Sequence, residues 1–346
     1  MMHLVTGSSG YVGSVIVNKL LESNKDVIAL DSSPSKVNSK YINKNINLDI
    51  TNYKSLEEIF ISNKIESIYH CAAQLIYNKK NSEYFRKVNI EATDILSNLA
   101  IKYNVKNFIY LSSNCVYGKL NSLDIPENFP LNPFEEYGDS KLQSEKILLS
   151  KKENLNVIIF RPPTIIGEGR LGILSVVFDF IKDNKKLFLV GNGRNKYQFV
   201  YGDDLASACI LASQYNKTNI FNIGSPNPCT LYETFDFLIK KASSKSKIYS
   251  LPASIILPLM RFFFKIGLSP LGPYQYNMIT NSFSGNIDNI SKELGWKPTK
   301  NNNEMLLSAY NYYAENYKEI HLNSQKGKGN SNIGREGIIK ILKWLS

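Results

Sequence analysis

The chain has few cysteines, and none of them is spaced for metal binding. Cys71, Cys115, Cys209 and Cys229 lie far apart in the 346 residues, without a Cys-x-x-Cys pair or a histidine at ligand spacing. This spacing argues against zinc motifs and a disulfide-rich secreted scaffold, because both need closely set cysteines. We therefore expect reduced thiols and no bound metal.

The sequence also lacks a long apolar run, and we expect no targeting segment. The first strand-like segment begins at residue 2 or 3, so we expect no secretory signal and a cytoplasmic protein. The most apolar segment, residues 251–274, is interrupted by Pro252, Pro258, Arg261 and Lys265 and falls short of the roughly 18 uninterrupted apolar residues of a membrane span. We interpret it as a substrate lid or an apolar pocket wall.

Acidic residues are the scarcer charge, since 41 Lys plus Arg stand against 30 Asp plus Glu. The basic excess is spread along the chain without a nucleic-acid-reading motif, so we expect no nucleic-acid partner. The exception is the segment 321–346, a basic linker followed by an amphipathic pattern with Ile338, Ile341, Leu342 and Leu345 on one helical face. We expect this tail helix to dock on the protein itself or on a dimer partner. Peripheral contact with an anionic membrane is the alternative.

What remains is a regular alternation of apolar runs with helical patterns. The strand-like runs of the first half are residues 4–6, 27–30, 67–70, 107–111 and 157–160. This alternation predicts an α/β fold, a doubly wound parallel sheet of the Rossmann type with helices on both faces. Further strand candidates lie at 187–190, 199–201 and 219–223, and beyond about residue 224 the pattern becomes mostly helical.

A glycine-rich turn, Thr6-Gly7-Ser8-Ser9-Gly10-Tyr11-Val12-Gly13, follows the first strand and precedes a helical pattern. A strand that turns into a helix in this way directs unpaired N–H groups and the positive end of the helix dipole at one point, which suits a pyrophosphate. Gly7 would allow the tight turn, Gly10 the approach of the phosphates, and Gly13 close packing of helix on strand.

The next strand-like run ends in Asp31, at the distance where a carboxylate binds the hydroxyls of an adenosine ribose. Ser32, Ser33 and Pro34 follow, and none of them could bind a 2′-phosphate as an arginine does. The glycine turn and Asp31 together predict NAD, rather than NADP, as the cofactor.

Tyr137 and Lys141 stand four apart early in a helical pattern, and therefore on one helical face. A phenol with a pKa near 10 is a poor base at neutral pH, but an adjacent ammonium and an oxidised nicotinamide both favour its phenolate. Tyr137 could then take a hydroxyl proton while hydride leaves the same carbon for NAD.

Ser112-Ser113 follows the strand at 107–111. The glycine turn, Asp31, this serine pair and the Tyr137/Lys141 pair occur along the chain in the order found in the extended short-chain dehydrogenase/reductases of the NAD-dependent epimerase/dehydratase family, which the chain therefore resembles. Further matches are Phe160-Arg161-Pro162-Pro163, Phe199–Ala206 and Leu294–Pro298, so that the resemblance covers about residues 2 to 318. It implies that Ser113 binds the reacting oxygen, that Tyr137 is the acid/base, and that Lys141 holds the nicotinamide ribose and lowers the pKa of Tyr137.

The resemblance also implies binding residues and a division into domains. The NAD contacts, besides Tyr137 and Lys141, are Gly7, Gly10, Tyr11, Val12, Gly13, Asp31, Asp49, Ile50, Cys71, Ala72, Ala73, Asn89 and Pro162. The substrate contacts are Gln74, Asn114, Cys115, Thr164, Arg194 and Tyr197. We expect an NAD-binding domain over 1–165, rejoined by 198–223, a substrate lobe over 166–197 and 224–320, and the tail 321–346. A homodimer through the helices around 84–103 and 135–150 is also implied.

Several positions depart from the family pattern. Asn114 and Cys115 stand where the sugar 4,6-dehydratases carry an acidic pair, which disfavours that reaction. Cys115 matches an acid/base cysteine of a 3,5-epimerase branch, although packing is the commoner role of a buried thiol. Tyr197 replaces the arginine that clamps the pyrophosphate, with Arg194 or Lys196 as substitute cations.

These observations predict an NAD-dependent nucleotide-sugar epimerase that works through a transient keto-sugar. One alternative is oxidation of a lipophilic alcohol, because the Arg-Pro-Pro turn at 161–163 also resembles the 3β-hydroxysteroid dehydrogenase branch. A second alternative is a catalytically silent NAD-binding scaffold, since a fold alone does not determine function. The presence of Ser113, Tyr137 and Lys141 argues against the scaffold.

Overall fold

The computed structural model describes residues 1–34, 44–74, 82–170, 172, 174–266 and 272–325. The strands are β1 (Met2–Thr6), β2 (Asp26–Asp31), β3 (Lys44–Asn47), β4 (Ile65–His70), β5 (Asn107–Leu111), β6 (Ser122–Ile125), β7 (Asn156–Arg161), β8 (Thr164–Ile166), β9 (Leu187–Val190), β10 (Phe199–Tyr201), β11 (Asn219–Asn222), β12 (Ile248–Leu251) and β13 (Phe283–Gly285).

The helices are α1 (Tyr11–Glu22), α2 (Tyr53–Ser62), α3 (Ser82–Arg86), α4 (Ala92–Lys102), α5 (Glu136–Leu149), α6 (Leu174–Lys182), α7 (Gly202–Ala212), α8 (Leu231–Lys241), α9 (Ala253–Lys265), α10 (Pro273–Thr280), α11 (Asp288–Leu294), α12 (Asn302–Glu315) and α13 (Tyr317–Gln325). A π-helical turn, Lys87–Glu91, joins α3 to α4, and a 3₁₀ turn, Asn114–Tyr117, follows β5. The predicted tail helix around Ile338 to Leu345 lies outside the described residues.

Seven parallel strands form the central sheet, in the order β11-β7-β5-β4-β1-β2-β3. The chain winds outward from β1 to β3 and then returns to start the other half at β4. The carboxyl ends of β1 and β4 therefore border the crevice where open α/β sheets bind their ligands. This topology confirms the predicted doubly wound α/β fold.

Both faces of the sheet are buried, because alternate residues of each strand point to opposite sides. On one face Leu4, Ile28 and Phe108 pack under α2 and α4. On the other, Val5 and Ile109 belong to a cluster that contains residues of α1 and α7. This double burial explains why the strands read as continuous apolar runs rather than as alternating patterns.

A third apolar cluster lies beside the sheet and joins α6, α8 and α12 with three small two-stranded sheets. These pair β8 with β10, β9 with β12 and β6 with β13. The strand candidates at 187–190 and 199–201 thus pair outside the central sheet, whereas β11 joins its edge beside β7. The proposed domain boundaries stay a prediction.

Two of the segments that resemble the family, residues 199–206 and 294–298, meet at a buried junction. Trp296, 2% exposed, donates its indole N–H to the backbone oxygen of Asp204 at 2.9 Å. The Asp204 carboxylate accepts hydrogen bonds from the backbone and hydroxyl of Thr299, at 2.9 and 2.7 Å. This junction ties the segment after α11 to the N-terminal turn of α7.

For one face of α9, the prediction that residues 251–274 form an apolar pocket wall is wrong. Ile255, Leu259 and Phe262 are 64%, 48% and 57% exposed. These side chains face outward rather than lining a buried pocket. The buried side chains Tyr276 and Met278 belong to α10 and lie beyond residue 274, the end of this segment.

His70, the last residue of β4, makes the folded protein sensitive to acid. Its ring nitrogens lie 2.8 Å from Thr6 Oγ1 and 3.0 Å from Thr93 Oγ1, and burial, with the nearby Lys141 ammonium, lowers its pKa to about 3. The unfolded chain, with a His pKa near 6.5, binds the proton first, so stability falls as pH falls from 6.5 towards 3.

We expect the His70→Gln variant to lose this part of the pH dependence, about 1.4 kcal/mol per pH unit. Urea unfolding at pH 6.5, 5.5 and 4.5 measures it, with the wild-type protein in parallel. The free energy of unfolding of the wild type minus that of the variant should therefore become smaller as the pH falls. Equal slopes for the two proteins would contradict the assignment.

Candidate functional site

The glycine turn between β1 and α1 brings three backbone segments into close contact. Gly7 has a φ of +69°, and a Cβ there would lie 2.7 Å from the backbone nitrogen of Ala72, after β4. A Cβ on Gly13 would lie 2.1 Å from Gly7 O, so only glycine lets α1 pack this close to the turn.

Gly10 is the residue before α1 and keeps one side of the turn open. A Cβ there would meet only Gly7 O, at 3.1 Å. Gly10 also gives α1 no side-chain cap, so none of the first N–H groups of the helix is capped by it. The open side and the helix N-terminus fit a pyrophosphate, as expected for a bound NAD.

Asp31 connects this turn to the end of β2. Its carboxylate accepts hydrogen bonds from the backbone N–H groups of Ser9 and Ser33, at 2.9 and 2.8 Å. A carboxylate has about four lone-pair sites, so the two oxygens can still accept from ribose hydroxyls. The position of Asp31 beside the glycine turn therefore fits the adenosine end of NAD.

We expect Asp31→Ala to weaken NAD binding at least tenfold, because the variant loses the predicted acceptor for the ribose hydroxyls and also the carboxylate that binds the Ser9 N–H. Isothermal titration calorimetry with NAD measures the change. Asp26→Ala, at the other end of β2, is the matched control and should bind NAD like the wild type. Equal affinity of the Asp31 variant would remove Asp31 from the cofactor site.

Asp49 and Ile50 lie in the loop after β3. Burial raises the pKa of Asp49, but hydrogen bonds from Thr51 and from the Tyr84 hydroxyl, the latter at 2.8 Å, outweigh it and hold the pKa below its ordinary value. The carboxylate is thus bound by the protein itself, and Ile50 is 5% exposed. Contact of these residues with an adenine stays a prediction.

Asn89 holds the loop that follows β4. It lies in the π-helical turn, and its amide accepts from the Gln74 N–H at 2.8 Å and donates to the Gln74 carbonyl at 3.1 Å and to Ser140 Oγ at 3.2 Å. Cys71 begins the loop by donating its N–H to Thr6 O. The contacts of Asn89 are therefore those of a residue that positions the loop from Cys71 to Gln74 against α5.

Ser113, Tyr137 and Lys141 lie on two elements that meet beyond the end of β5, the 3₁₀ turn and α5. Ser113 caps the 3₁₀ turn, where its hydroxyl accepts the Cys115 N–H at 3.2 Å. Tyr137 is the second residue of α5 and is half-buried. Lys141, one helical turn further on, donates to Leu111 O at 2.8 Å, and its Nζ lies 5.8 Å from the centre of the Tyr137 ring.

Lys141 is 3% exposed, and burial lowers the pKa of its ammonium to about 8. The groups that oppose this effect are Cys71, Glu145 and Cys115. The ammonium stays charged at neutral pH and lies beside the Tyr137 ring in surroundings of low polarity. A positive charge there favours a phenolate over a phenol.

Cys115 is 6% exposed, and burial raises the pKa of its thiol to about 12. Its backbone oxygen lies against α5, where a Cβ on Gly138 would come within 2.8 Å. A thiol that holds its proton so firmly is a poor nucleophile or base. The surroundings of Cys115 are those of a packing residue.

Three of the predicted substrate residues meet through a fourth that sequence reasoning missed. Tyr274, on α10, lies with its hydroxyl 2.7 Å from Tyr197 Oη and 3.1 Å from Thr164 Oγ1, and it donates to Asn114 Oδ1 at 3.3 Å. Asn114 also donates to Tyr197 Oη at 3.1 Å. We call these four residues, which adjoin Ser113, the tyrosine cluster.

Burial raises the pKa of both phenols in the tyrosine cluster, that of Tyr197 to about 12. Both are therefore neutral, and Tyr197 is 1% exposed. Tyr197 occupies the position of the family's pyrophosphate-binding arginine, but a buried, neutral phenol does not supply the charge of that arginine. Arg194 and Lys196 are exposed and lie outside this cluster. No sequence motif marks Tyr274, which follows Pro273 in the segment interpreted as a lid.

The family model described as the NAD dependent epimerase/dehydratase family matches residues 3–224. The uncharacterized protein y4nG of Sinorhizobium fredii is 34% identical over 90% of this chain and 78% of its own length. The UDP-glucose 4-epimerase of Dictyostelium discoideum is 27% identical over 90% of this chain and 96% of its own.

Among solved structures, UDP-glucose 4-epimerase of Thermotoga maritima with UDP-glucose superimposes with a TM-score of 0.75 at 24% identity, over 92% of this chain and all of that one. The UDP-glucuronic acid 4-epimerase of Bacillus cereus in complex with NAD gives 0.72 at 21% identity, over the same shares. These similarities agree with the parallel sheet and its crevice. The chain belongs to the NAD-dependent epimerase/dehydratase family and is an NAD-dependent enzyme.

Proposed function

We propose that the protein is a nucleotide-sugar epimerase that oxidises a ring hydroxyl to a ketone and then reduces it from the opposite face. The observation that carries the proposal is the buried Lys141 ammonium, 5.8 Å from the centre of the Tyr137 ring and bound to Leu111 O, two residues before Ser113. The UDP-glucose 4-epimerase relative supports the substrate class.

In this proposal each of three residues has a defined task. NAD, when bound, supplies the acceptor and donor of the hydride. The Tyr137 phenolate removes the hydroxyl proton as the hydride leaves the same carbon, and returns that proton when the ketone is reduced. Ser113 donates a hydrogen bond to the reacting oxygen, and Lys141 stabilises the phenolate by its charge.

The tyrosine cluster borders Ser113 on the side of α10, and we infer that it forms part of the sugar site. Thr164 and Tyr274, its half-buried members, have neutral hydroxyls that can exchange hydrogen bonds with the hydroxyls of a sugar. Asn114 lies within 3.5 Å of the Ser113 hydroxyl, so a sugar held by this cluster would be close to the proposed acid/base.

Thermal-shift measurements with NAD present test the substrate class, because a ligand that binds only the folded state raises the melting temperature. UDP-glucose, UDP-galactose and GDP-mannose are compared with a sterol alcohol. We expect a UDP-sugar to raise the melting temperature. A shift by the sterol alcohol alone would favour the oxidation of lipophilic alcohols.

Turnover distinguishes an epimerase from a net dehydrogenase. An epimerase interconverts the two sugars without added NAD beyond that bound, and absorbance at the NADH band stays flat. A dehydrogenase accumulates NADH in step with its product. NADH formed in equal amount to a ketone product would overturn the epimerase proposal.

A homodimer through the faces of α4 and α5, and a cytoplasmic location, are further proposals that rest on the family resemblance. Analytical ultracentrifugation of the full chain measures the first of them. The small-molecule substrate expected from the sequence agrees with membership of this family.

A further inference from the structure

Helix α9 is apolar on nearly every side, yet all of its residues are described and none is buried. A helix that is hydrophobic all round normally lies inside a protein or a membrane. Four large side chains, Ile255, Leu259, Phe262 and Ile266 at its end, are 64%, 48%, 57% and 51% exposed. We call these four residues the apolar stripe.

The spacing of the stripe, four, three and four residues, puts its members on one face of the helix. A different face attaches α9 to the body of the protein. There the Tyr276 hydroxyl donates to Met260 O at 2.9 Å, and the Phe264 and Tyr276 rings are 6.5 Å apart. The stripe is therefore held outward by a fixed attachment.

The length of α9 decides how it can meet a lipid bilayer. Its 13 residues extend about 20 Å, whereas the hydrocarbon core of a bilayer is about 30 Å thick and needs a helix of about 20 residues. Over the described part of the chain, no helix is long and apolar enough to cross a membrane. An apolar helix of this length suits the plane of a membrane interface.

Charge around the stripe indicates what covers it. Residues 237–287 contain no aspartate or glutamate, and their basic residues are Lys240, Lys241, Lys245, Lys247, Arg261 and Lys265. Arg261 and Lys265 are both exposed on α9 itself and lie on the same side of the stripe, Lys265 about a quarter turn and Arg261 about a third of a turn around the helix from it. On α9 itself the only charged residues are thus the two basic ones, Arg261 and Lys265, and this positive charge is complementary to an anionic partner.

Two other occupants fit this charge less well. A second copy bound by the same face would bring the Arg261 and Lys265 side chains of both copies together, because a two-fold contact pairs a surface with itself. The segment 326–346 carries five basic residues and one acidic residue, so it would also meet α9 with like charge. An anionic lipid surface suits both α9 and this segment.

We propose that α9 is a membrane-docking helix, whose apolar stripe enters the interface of an anionic bilayer while Arg261 and Lys265 bind lipid headgroups. The protein would then act as a peripheral enzyme. This proposal is independent of the substrate class, because α9 holds none of the residues assigned to the catalytic or NAD site.

Flotation of the full chain with vesicles tests the proposal. We expect binding to vesicles of equal phosphatidylcholine and phosphatidylglycerol, weaker binding to phosphatidylcholine alone, and release by salt. Leu259→Ser combined with Phe262→Ser should lower the partition coefficient at least tenfold, and so should Arg261→Glu with Lys265→Glu. Both double variants should keep the wild-type melting temperature and NAD affinity.

The matched control is Ile61→Ser with Leu322→Ser, since these residues are 67% and 55% exposed on α2 and α13. This control should bind vesicles like the wild type. Failure of the wild type to bind anionic vesicles overturns the proposal. Unchanged vesicle binding by the Leu259/Phe262 variant also overturns the proposal. The same holds if binding is abolished only by Ile341→Ser combined with Leu345→Ser in the tail. A wild-type dimer that the Leu259/Phe262 variant dissociates would assign the stripe to protein contact instead.

Discussion

Replacing Tyr137 with phenylalanine is expected to lower turnover by roughly 10²–10⁴-fold, the usual contribution of a positioned acid/base. The ring and its packing stay, so NAD affinity and the melting temperature should change little. The loss follows because no other phenol combines proximity to Lys141 with access to a substrate among the described residues: Tyr137 is half-buried, whereas Tyr110 is 1% exposed.

Tyr110 provides a matched control for this experiment. Its ring centre lies 4.7 Å from Lys141 Nζ, on the buried side of the same ammonium. Tyr110→Phe should leave turnover within about threefold of the wild type, since its hydroxyl cannot reach a substrate. Initial rates with the nucleotide sugar chosen by thermal shift measure both variants. Full activity of the Tyr137 variant would remove the proposed base.

Replacing Glu145 with glutamine is expected to cost about 3–5 kcal/mol of folding free energy, because it leaves a buried guanidinium without its counter-charge. Arg161 Nη2 and Nε donate to the two Glu145 oxygens at 2.6 and 3.0 Å, and both side chains are almost fully buried. Ser112 donates to the same carboxylate, and Arg161 also donates to Tyr117 Oη at 3.0 Å.

Urea unfolding measures this cost, and a surface pair is the control. Lys87 and Glu83 are four apart on the surface with their charged atoms 2.7 Å apart, and Glu83→Gln should leave the urea midpoint nearly unchanged. If the urea midpoint of Glu145→Gln also stayed close to that of the wild type, this result would contradict a stabilising role for the Glu145–Arg161 pair. Since Glu145 lies four residues after Lys141 on α5, the variant should also lower turnover by loosening the helix that carries Tyr137.

Most of the central sheet was predictable because its signals are local. The run at 107–111 became β5 with the same bounds, and the runs at 4–6, 27–30, 67–70 and 157–160 lie within β1, β2, β4 and β7. Outside the central sheet, the runs at 187–190 and 199–201 became β9 and β10. β3 was missed because its residues Lys44–Asn47 form a mostly exposed edge strand with a single apolar side chain. In the small sheets β6, β8, β12 and β13 were missed, since segments of three or four residues that include polar residues or glycine carry too little signal, whereas β9 and β10 are apolar throughout.

The glycine turn and Asp31 could also be read from the chain, because a tight turn and a strand end depend on neighbouring residues. The separation of Tyr137 and Lys141 by one helical turn is local in the same way. The role of Asn89 was not, since its partners Gln74 and Ser140 come from two other parts of the chain. The family resemblance of the chain implied that Asn89 contacts the cofactor. The hydrogen bonds of Asn89 in the structure are those of a residue that positions a loop.

By itself, then, the sequence determined most strands of the central sheet, the glycine turn between β1 and α1, and the position of Tyr137 and Lys141 on one face of α5, since each depends on spacing over a few residues. Tertiary structure alone decided which distant groups meet. Tyr274 reaches Asn114 across 160 positions, and Arg161 meets Glu145 inside the core. It also decided that α9, whose composition suits an interior, lies on the surface. Such contacts depend on how the sheet and the helical part pack, which no local pattern encodes.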